Sequence, residues 1–355
     1  MEAAFDTNHY VPVLKIKQGE KQALELISDQ HCARITPLLE IVARDGEKKP
    51  TFQDHLDTAF KGLAQGATRF PRCLLDAREI APDGPAAAKE VFKRARAAGI
   101  TFAPVTGVTR KVDVAAALAA RNNGLAIRLT RQEFETGRLN GLLLAFLATH
   151  SLQAEEIDLI VDLGAVNQLI QAGVLSLAAQ FIEVVPYLDR WRSFTLSSAA
   201  IPEGMGGIER HSFGRVRRID WLAWLDVCLK VRPPRLPSFS DCCIQHPKGV
   251  EGFNFQTMTP SASIRYTLDE DWLLIKGQST KVEAIGKQLP KLATKLVKGV
   301  FKPHYRGASH CKGCQMIADS AGGKPKLGSA TVWRRIGTIH HVEMVMEGMQ
   351  AEPWL

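Results

Sequence analysis

The sequence predicts an α/β fold, a TIM-like (β/α)8 barrel followed by a C-terminal α+β appendage. Eight short apolar segments recur along the chain, and each begins about 24 to 45 residues after the previous one. Most of the stretches between them have helical patterning, as expected if parallel strands are joined by crossover connections. The eight segments are residues 10–17, 34–42, 70–79, 101–108, 125–134, 156–166, 192–199 and 237–245.

Several of these segments are continuous apolar runs, which indicates strands buried on both faces. Helices are predicted after the second, third and sixth segments, over 51–64, 85–98 and 173–184, with Pro85 suited to a first helical turn. The unit at 208–230 is predicted to pack on the outside of the barrel, with its tryptophans in the core. Such a barrel places its functional groups at the C-terminal ends of its strands.

The pattern changes near residue 247, so we assign 1–247 to the barrel and 248–355 to the appendage. Residues 261–279 contain two β-like runs joined by an acidic turn, which predicts a hairpin. Residues 281–300 predict a helix with apolar residues on one side and lysines on the other. Residues 332–346 fit either a closing strand or a helix.

The composition is that of an ordinary globular protein, with 355 residues, 45% hydrophobic and 23% charged. No apolar run approaches the roughly 18 to 20 residues that cross a bilayer, so no membrane association is predicted. The N-terminal segment has neither a basic region nor an apolar core, so no signal peptide is predicted. Seven scattered cysteines, an odd number, favour a reduced and cytoplasmic protein.

The formal charge of +8 is concentrated in the appendage. From residue 262 onward, 14 Lys/Arg accompany 8 Asp/Glu, a net charge of +6, whereas the first 261 residues contribute only +2. Within 276–335 there are 13 basic residues and two acidic ones, Glu283 and Asp319. The predicted barrel is therefore close to neutral, and the appendage is basic.

Five sequence blocks occur in order along nearly the whole chain. They are YVPVLKIKQGEKQALELIS at 10–28, RITPLLEI at 34–41, SDCCIQHP at 240–247, SIRYT followed by WLLIKG at 263–277, and WRRIGTIHHVEMV at 333–345. In these blocks the chain resembles the beta family of bacteria and phages. That family is named after a protein of the gop–beta–cll locus of a satellite phage.

The resemblance implies a role in phage–host conflict. The locus is associated with killing of the host cell by one product, with restraint of that killing by beta, and with defence against other phages. The family supplies no established reaction and no catalytic residues. Asp241 matches the family pattern, whereas Cys242 stands where relatives tend to have tyrosine, so a role of that tyrosine does not carry over. The matching blocks make Arg265, Tyr266, Trp333, Arg334, His340 and His341 candidates for a shared functional or interface region.

Carboxylates and basic residues stand at the predicted strand ends, which lie on one face of a barrel. Acids that converge there with Lys and Arg could hold a divalent metal and a phosphate, or perform general acid–base catalysis. The alternative is a structural network, because charged pairs at a barrel end often satisfy one another. The candidate catalytic residues are Glu40, Asp76, Arg78, Asp162 and Asp241.

A second candidate site lies in the appendage, where two cysteines separated by two residues follow a histidine. Thiolate and imidazole are the ligands that zinc prefers in tetrahedral sites. The candidate ligands are His310, Cys311 and Cys314, to which His340 or His341 could add another. Only one cysteine pair is present, so a polar loop with incidental cysteines is the alternative. The cofactor is thus left open, with a divalent metal or zinc as candidates.

The lysine-rich side of the predicted helix is a candidate contact surface. Lysines at helical spacing suit the phosphates of a nucleic acid, and they suit an acidic protein partner equally well. A solvated helix face without a partner is the third interpretation. The candidate contact residues are Arg265, Lys291, Lys295, Lys298, Arg306, Arg334, His340 and His341.

Two functions follow from these observations. In the first, the chain belongs to a phage-defence or toxin-restraining locus and binds a protein of that locus, or nucleic acid, through its basic appendage. In the second, it is a barrel enzyme, hydrolase or phosphodiesterase-like, that acts on a phosphate-bearing or nucleic-acid substrate through its strand-end carboxylates. No Walker loop, strand-adjacent GxGxxG, GxSxG or HExxH motif is present. The family resemblance favours the first function, and the oligomeric state is left open.

Overall fold

The computed structural model describes residues 5–44, 50–248 and 260–351, and its largest feature is a sheet of eight parallel strands. The strands of the described residues are β1 (Val13–Lys15), β2 (Leu38–Glu40), β3 (Cys73–Asp76), β4 (Phe102–Thr106), β5 (Leu125–Thr130), β6 (Ile157–Ala165), β7 (Ser193–Ala199), β8 (Phe213–Arg217), β9 (Ser238–Ser240), β10 (Ser261–Thr267) and β11 (Asp271–Ser279).

The eight-stranded sheet closes on itself. Strands β1 to β7 pair in sequence order, and β7 then pairs with β9. Closure is made by backbone hydrogen bonds from the amide of Val11 to the carbonyl of Phe239, at 2.9 Å, and from Val13 to Asp241, at 2.8 Å. The chain therefore forms a (β/α)8 barrel, and the fold class predicted from the sequence is confirmed.

The barrel strands are buried on both faces, as their continuous apolar sequences predict. Every residue of β2, β3, β4 and β7 is buried. Residues from several strands pack together in a small apolar cluster, whereas a larger cluster joins the strands to the surrounding helices. The small cluster includes Val13, Leu38, Leu74, Ala103, Val105, Ala126 and Ile160.

Helices alternate with the barrel strands. The predicted helix over 51–64 is divided into two helices at Gly62, which has a positive φ of 76°. Pro85 is the first residue of its helix, as predicted. No helix of the described residues combines the length and the apolar composition needed to cross a membrane. The α-helices are α1 (Gln18–Leu24), α2 (Asp29–Cys32), α3 (Phe52–Phe60), α4 (Leu63–Ala67), α5 (Pro85–Ala97), α6 (Val114–Ala120), α7 (Arg131–Glu135), α8 (Leu139–Thr149), α9 (Gln171–Val184), α10 (Ile219–Asp226), α11 (Ile285–Val297), α12 (Lys312–Ala321) and α13 (Ala330–Ala351).

A second, three-stranded antiparallel sheet lies in the appendage. The predicted hairpin is present as β10 and β11, and β11 pairs on its other side with β8. Strand β8 lies within the predicted 208–230 unit, so this sheet takes one strand from the sequence between β7 and β9. The rest of that unit is α10, which packs against α9 and β7 with Trp221 and Trp224 buried.

The C-terminal helix α13 joins the two parts of the molecule. It packs against α1 and α12 and against β10. The sequence pattern of residues 332–346 fits either a strand or a helix, and the structure shows a helix. All residues from Ile336 to Met346 are buried, because α13 is covered on every side. A helix buried all round shows no 3.6-residue apolar period, which explains why the pattern did not identify it.

Candidate functional site

A buried arginine near the C-terminal end of β5 is surrounded by three carboxylates. Nη1 of Arg128 donates to Oε1 of Glu40 at 2.6 Å and to Oδ2 of Asp76 at 3.0 Å. Its Nη2 lies 2.7 Å from Oδ2 of Asp162. These carboxylates stand at or near the ends of β2, β3 and β6, so the barrel brings together three of the five candidate catalytic residues.

Two further cations complete what we call the mouth cluster (Lys15, Glu40, Asp76, Arg110, Arg128 and Asp162). Both terminal nitrogens of Arg110 donate to Asp76, at 2.7 and 3.2 Å, and Lys15 lies 3.9 Å from Glu40. Burial opposes ionisation of Asp76, but the guanidinium groups of Arg110 and Arg128 hold the pKa of this carboxyl well below its usual range. The cluster therefore satisfies its own charges.

The described residues leave little room for a substrate at this position. A cavity of about 10 Å³, the space of one water molecule, is lined by Lys15, Glu40, Cys242 and His246 among others. The carboxylates face Arg128 and Arg110 rather than an open space. The mouth cluster, as the described residues place it, thus has the character of a structural charge network.

The side chains of Arg78 and Asp241 do not join the mouth cluster, although the Arg78 amide donates to Oδ1 of Asp76 at 3.0 Å. The Arg78 side chain is 39% exposed and donates to Glu79 at 3.2 Å. Asp241 is fully buried and lies beneath α13. Conversely, the sequence interpretation missed Arg110, because this residue stands in the loop after β4 and no strand end marks its position.

Asp241 and His341 form a buried hydrogen-bonded pair between barrel and appendage. The carboxylate of Asp241 accepts from Tyr10 Oη at 2.6 Å, from the Cys243 amide at 2.9 Å, and from Nε2 of His341 at 2.8 Å. Burial lowers the pKa of His341 despite the nearby carboxylate. The ring is therefore neutral, with its proton on Nε2, and Nδ1 accepts from the Thr267 hydroxyl at 2.9 Å. Both members of the pair are buried. We call this Asp241–His341 pair the latch.

A cleft lies between the loop after β9, strand β10 and helix α13. Nη1 of Arg265 donates to the carbonyl of Ile244, and burial together with Arg334 lowers the pKa of Arg265 to about 10. Arg334 lies 3.6 Å from Glu20, whereas Arg265 has no ion pair among the described residues. The cleft, which we call the arginine cleft, has a volume of about 220 Å³ and is lined by residues that include His246, Ser263, Arg265, Leu289, Trp333 and Arg334.

The outer side of α11 presents a row of exposed lysines, the lysine face, defined as Lys287, Lys291, Lys295 and Lys298. Lys291 lies 2.5 Å from Glu283. The other three have no acidic partner within the described part of the chain. The opposite side of α11 is apolar and packs on β10, as the amphipathic pattern predicts.

The remaining predicted contact residues lie elsewhere. Arg306 forms an ion pair with Asp269 at the tip of the β10–β11 hairpin. His340 and His341 are 1% and 0% exposed, so neither can touch a macromolecular partner, and we correct the sequence-based prediction on this point. The family resemblance alone makes these two histidines candidates for a contact surface, and sequence blocks do not indicate burial.

His340 instead lies beside the predicted metal ligands. One ligand atom each of His310, Cys311, Cys314 and His340 lies within 4.8 Å of every other. Cys311 precedes α12 and Cys314 stands in its first turn, while His340 comes from the middle of α13. His304, the other histidine of this segment, contacts Arg215 and is not part of the group.

Together these features define a (β/α)8-barrel protein. The paired charged side chains of the mouth cluster fill the mouth of the barrel, and the C-terminal appendage has basic surfaces. The family model described as Beta protein matches residues 10–347. The chain belongs to this family, as the sequence blocks predict. No curated protein matches the chain.

The chain is also similar to solved structures, at low sequence identity. The tryptophan synthase A-subunit from Pyrococcus furiosus is 10% identical, with a TM-score of 0.39, and the match covers 68% of this chain and 90% of that one. Triosephosphate isomerase from Bartonella henselae is 10% identical, with a TM-score of 0.27 and coverage of 66% and 92%. Neither similarity bears on function.

Proposed function

We propose that this chain is a nucleic-acid-binding component of a phage-defence or toxin-restraining locus and that it acts in the cytoplasm. The observation that carries this proposal is the lysine face of α11. Lys287, Lys295 and Lys298 are exposed and lack acidic partners among the described residues, so their charges are available to an outside anion. Membership of the Beta protein family supports the setting in phage–host conflict.

The lysine face has the geometry of a phosphate-binding surface. Side chains three and four positions apart on a helix lie about 5–6 Å from one another. From Lys287 to Lys298 the row extends over about 16 Å, at a rise of 1.5 Å per residue. Each ammonium group can neutralise one backbone phosphate and release its counterions, which is the main source of sequence-independent binding.

A nucleic acid fits this surface better than an acidic protein does. Protein interfaces have an apolar centre and are depleted in lysine. Between Lys287 and Lys298 none of the described residues is a large exposed hydrophobic; Val282 and Val300, at 71% and 78% exposure, lie beyond the two ends. A surface that offers charge without apolar contact suits a phosphate backbone.

The arginine cleft supports the same conclusion. It borders α11 through Ile285 and Leu289, which lie on the apolar side of this helix, opposite the lysine face. Burial, and after it the charge of Arg334, lowers the pKa of Arg265, and an anion placed between the two arginines would offset the repulsion between them. The cleft is therefore suited to hold one phosphate, at a place separate from the lysine face.

The barrel-enzyme alternative has less support. Its three converging carboxylates are bound to Arg128, and the adjacent cavity accommodates about one water molecule. A general acid or base needs access to the reacting atom, and none of these carboxylates has it in the arrangement described above.

Equilibrium binding tests the proposal. Fluorescence anisotropy is measured with labelled single-stranded DNA, duplex DNA and RNA of equal length, and with labelled polyglutamate as an acidic polypeptide. We expect binding to nucleic acid, with log K falling against log salt concentration at a slope of about −3, as four phosphate contacts would give. Binding to polyglutamate alone would favour an acidic protein partner, and no binding to any probe at low salt would overturn the proposal.

A further inference from the structure

Four potential metal ligands meet in the appendage at the junction of α12 and α13. Nδ1 of His340 lies 3.4 Å from Sγ of Cys314 and 3.9 Å from Sγ of Cys311. The fourth residue, His310, precedes Cys311 directly and belongs to the same group. The cysteines and His340 are at most 7% exposed, so the group is shielded from solvent.

These separations match the edges of a zinc coordination tetrahedron. With a Zn–S bond of about 2.3 Å and a Zn–N bond of about 2.0 Å, a sulfur and a nitrogen on one ion lie about 3.5 Å apart. The two separations from Nδ1 of His340 to the sulfurs bracket this value. The ligands could therefore close on one ion with small side-chain adjustments.

Both histidines are oriented as metal ligands are. Nε2 of His340 lies 2.9 Å from the carbonyl oxygen of Thr267, which leaves Nδ1 directed at the sulfurs. Nδ1 of His310 lies 3.1 Å from Oε1 of Glu347. A carbonyl or carboxylate on the second ring nitrogen is the usual outer partner of a zinc-bound histidine.

His310 adds an independent observation. Its side chain is only 8% exposed, and its Nε2 is buried without a hydrogen-bond partner in the described structure. An unpaired buried nitrogen is costly and requires an explanation. A metal ion held with Cys311, Cys314 and His340 would satisfy this nitrogen.

The backbone is built to bring the two elements together. A Cβ atom at Gly313 would lie 2.6 Å from the carbonyl oxygen of Ile336 and 3.1 Å from the amide nitrogen of His340. Only glycine therefore permits the first turn of α12 to approach α13 so closely at this point. Gly313, one of the two residues between the cysteines, thus serves the approach on which the four-ligand group depends.

We propose that His310, Cys311, Cys314 and His340 bind one Zn²⁺ ion. Four protein ligands complete a tetrahedral shell, which makes the site structural rather than catalytic. The ion fixes the start of α12 against α13. His341, the residue that follows His340 in α13, forms the latch with Asp241. Access is provided by an open depression that includes Ser309, His310 and Gln315 in its lining. This inference does not depend on nucleic-acid binding.

Metal analysis of the full chain tests the site. The protein is purified without a metal-affinity step, and zinc is measured by inductively coupled plasma mass spectrometry. We expect about one zinc per chain in the wild type and less than a tenth of that in Cys314→Ser. Cys228→Ser is the matched control, because Cys228 is also buried but lies outside the group, and it should retain the metal. Equal zinc in Cys314→Ser and the wild type, or none in the wild type after incubation with zinc, would overturn the proposal.

A second variant covers the case in which Cys314→Ser fails to fold. His310→Gln changes the ligand nearest the surface, and its fold is checked by circular dichroism. We expect at least a tenfold loss of zinc affinity, measured against a competing chelator. Cobalt substituted into the wild type should show the absorption of a tetrahedral site with two sulfur ligands. A Cys311–Cys314 disulfide in protein taken directly from reducing cells would contradict the proposal, because disulfide sulfurs are not free to bind zinc as thiolates.

Discussion

Nε2 of His341 lies 2.8 Å from Oδ2 of Asp241, and this hydrogen bond joins the middle of α13 to the end of the last barrel strand. Both side chains are buried, and Thr267 and Tyr10 complete the network on either side. Because one partner belongs to the barrel and the other to the appendage, the bond holds the appendage over the barrel mouth. The appendage, whose helix α11 bears the lysine face, is thereby held in a fixed position on the barrel.

The latch should contribute measurably to stability. His341→Ala leaves the buried Asp241 carboxylate without one of its three donors and removes a fully buried ring. Loss of a hydrogen bond to a charged group costs about 1.5–3 kcal/mol, so we expect a decrease of at least that size in the free energy of unfolding. Urea denaturation measures it. His304→Ala, a partly exposed histidine of the same appendage, should change stability by about 0.5 kcal/mol or less. Equal effects of the two substitutions would contradict the assigned role of the latch.

The mouth cluster should behave as a structural network. Asp76→Asn removes the carboxylate that Arg110 and Arg128 share, and breaking a buried ion pair costs about 3–5 kcal/mol. We therefore expect a large loss of stability by urea denaturation at pH 7. Asp189→Asn, at an exposed carboxylate, should have little effect. A stable Asp76→Asn variant that had lost a biological activity would instead favour the enzyme alternative.

The same carboxylate predicts a pH dependence. The pKa of Asp76 in the folded state lies below its ordinary value of 3.8, which applies to the unfolded chain. Its ion pairs therefore contribute fully above about pH 4, and the contribution is lost as the pH falls further. The difference in unfolding free energy between wild type and Asp76→Asn should shrink below pH 4. A difference that stayed constant from pH 7 to pH 3 would contradict this assignment.

The close approach of α12 and α13 predicts an unusual effect of alanine. Replacing glycine by alanine within a helix normally stabilises a protein by up to about 1 kcal/mol. At Gly313 the added methyl group would meet the backbone of α13, so Gly313→Ala should destabilise by about 1–3 kcal/mol. Gly141→Ala in α8 is the matched control, because a Cβ there meets nothing within 4 Å, and it should stabilise. Thermal denaturation compares the stabilities of the two variants. If both substitutions stabilised the protein, α12 and α13 would be packed less closely than described.

The barrel could be predicted from the sequence because its strands are continuous apolar runs separated by helical stretches. Strand β8 could not be assigned to its sheet in this way, since its partner β11 lies more than 50 residues away and no local pattern specifies such pairing. The sequence does not identify helix α13, because burial of residues 336–346 on all sides removes the amphipathic period.

The candidate site could be predicted in part. Barrel geometry brings strand ends together, so the convergence of Glu40, Asp76 and Asp162 followed from sequence position alone. The ion pair between Arg110 and Asp76 did not, because the direction of a loop residue depends on the folded loop. The role of His340 was open for a similar reason: its place beside Cys311 and Cys314 depends on the packing of two helices.

The measurement that tests the nucleic-acid proposal most directly compares two triple variants with the same change in charge. Lys287→Glu/Lys295→Glu/Lys298→Glu reverses three residues of the lysine face and spares the Lys291–Glu283 pair. Lys89→Glu/Lys93→Glu/Lys111→Glu reverses three exposed lysines of the barrel. By anisotropy, we expect the first variant to bind nucleic acid at least tenfold more weakly, with the salt slope reduced in magnitude by about 2 to 3. The second should stay within about threefold of the wild type if long-range charge makes only a small contribution. Equal affinities for the two variants would contradict the assignment of binding to the lysine face.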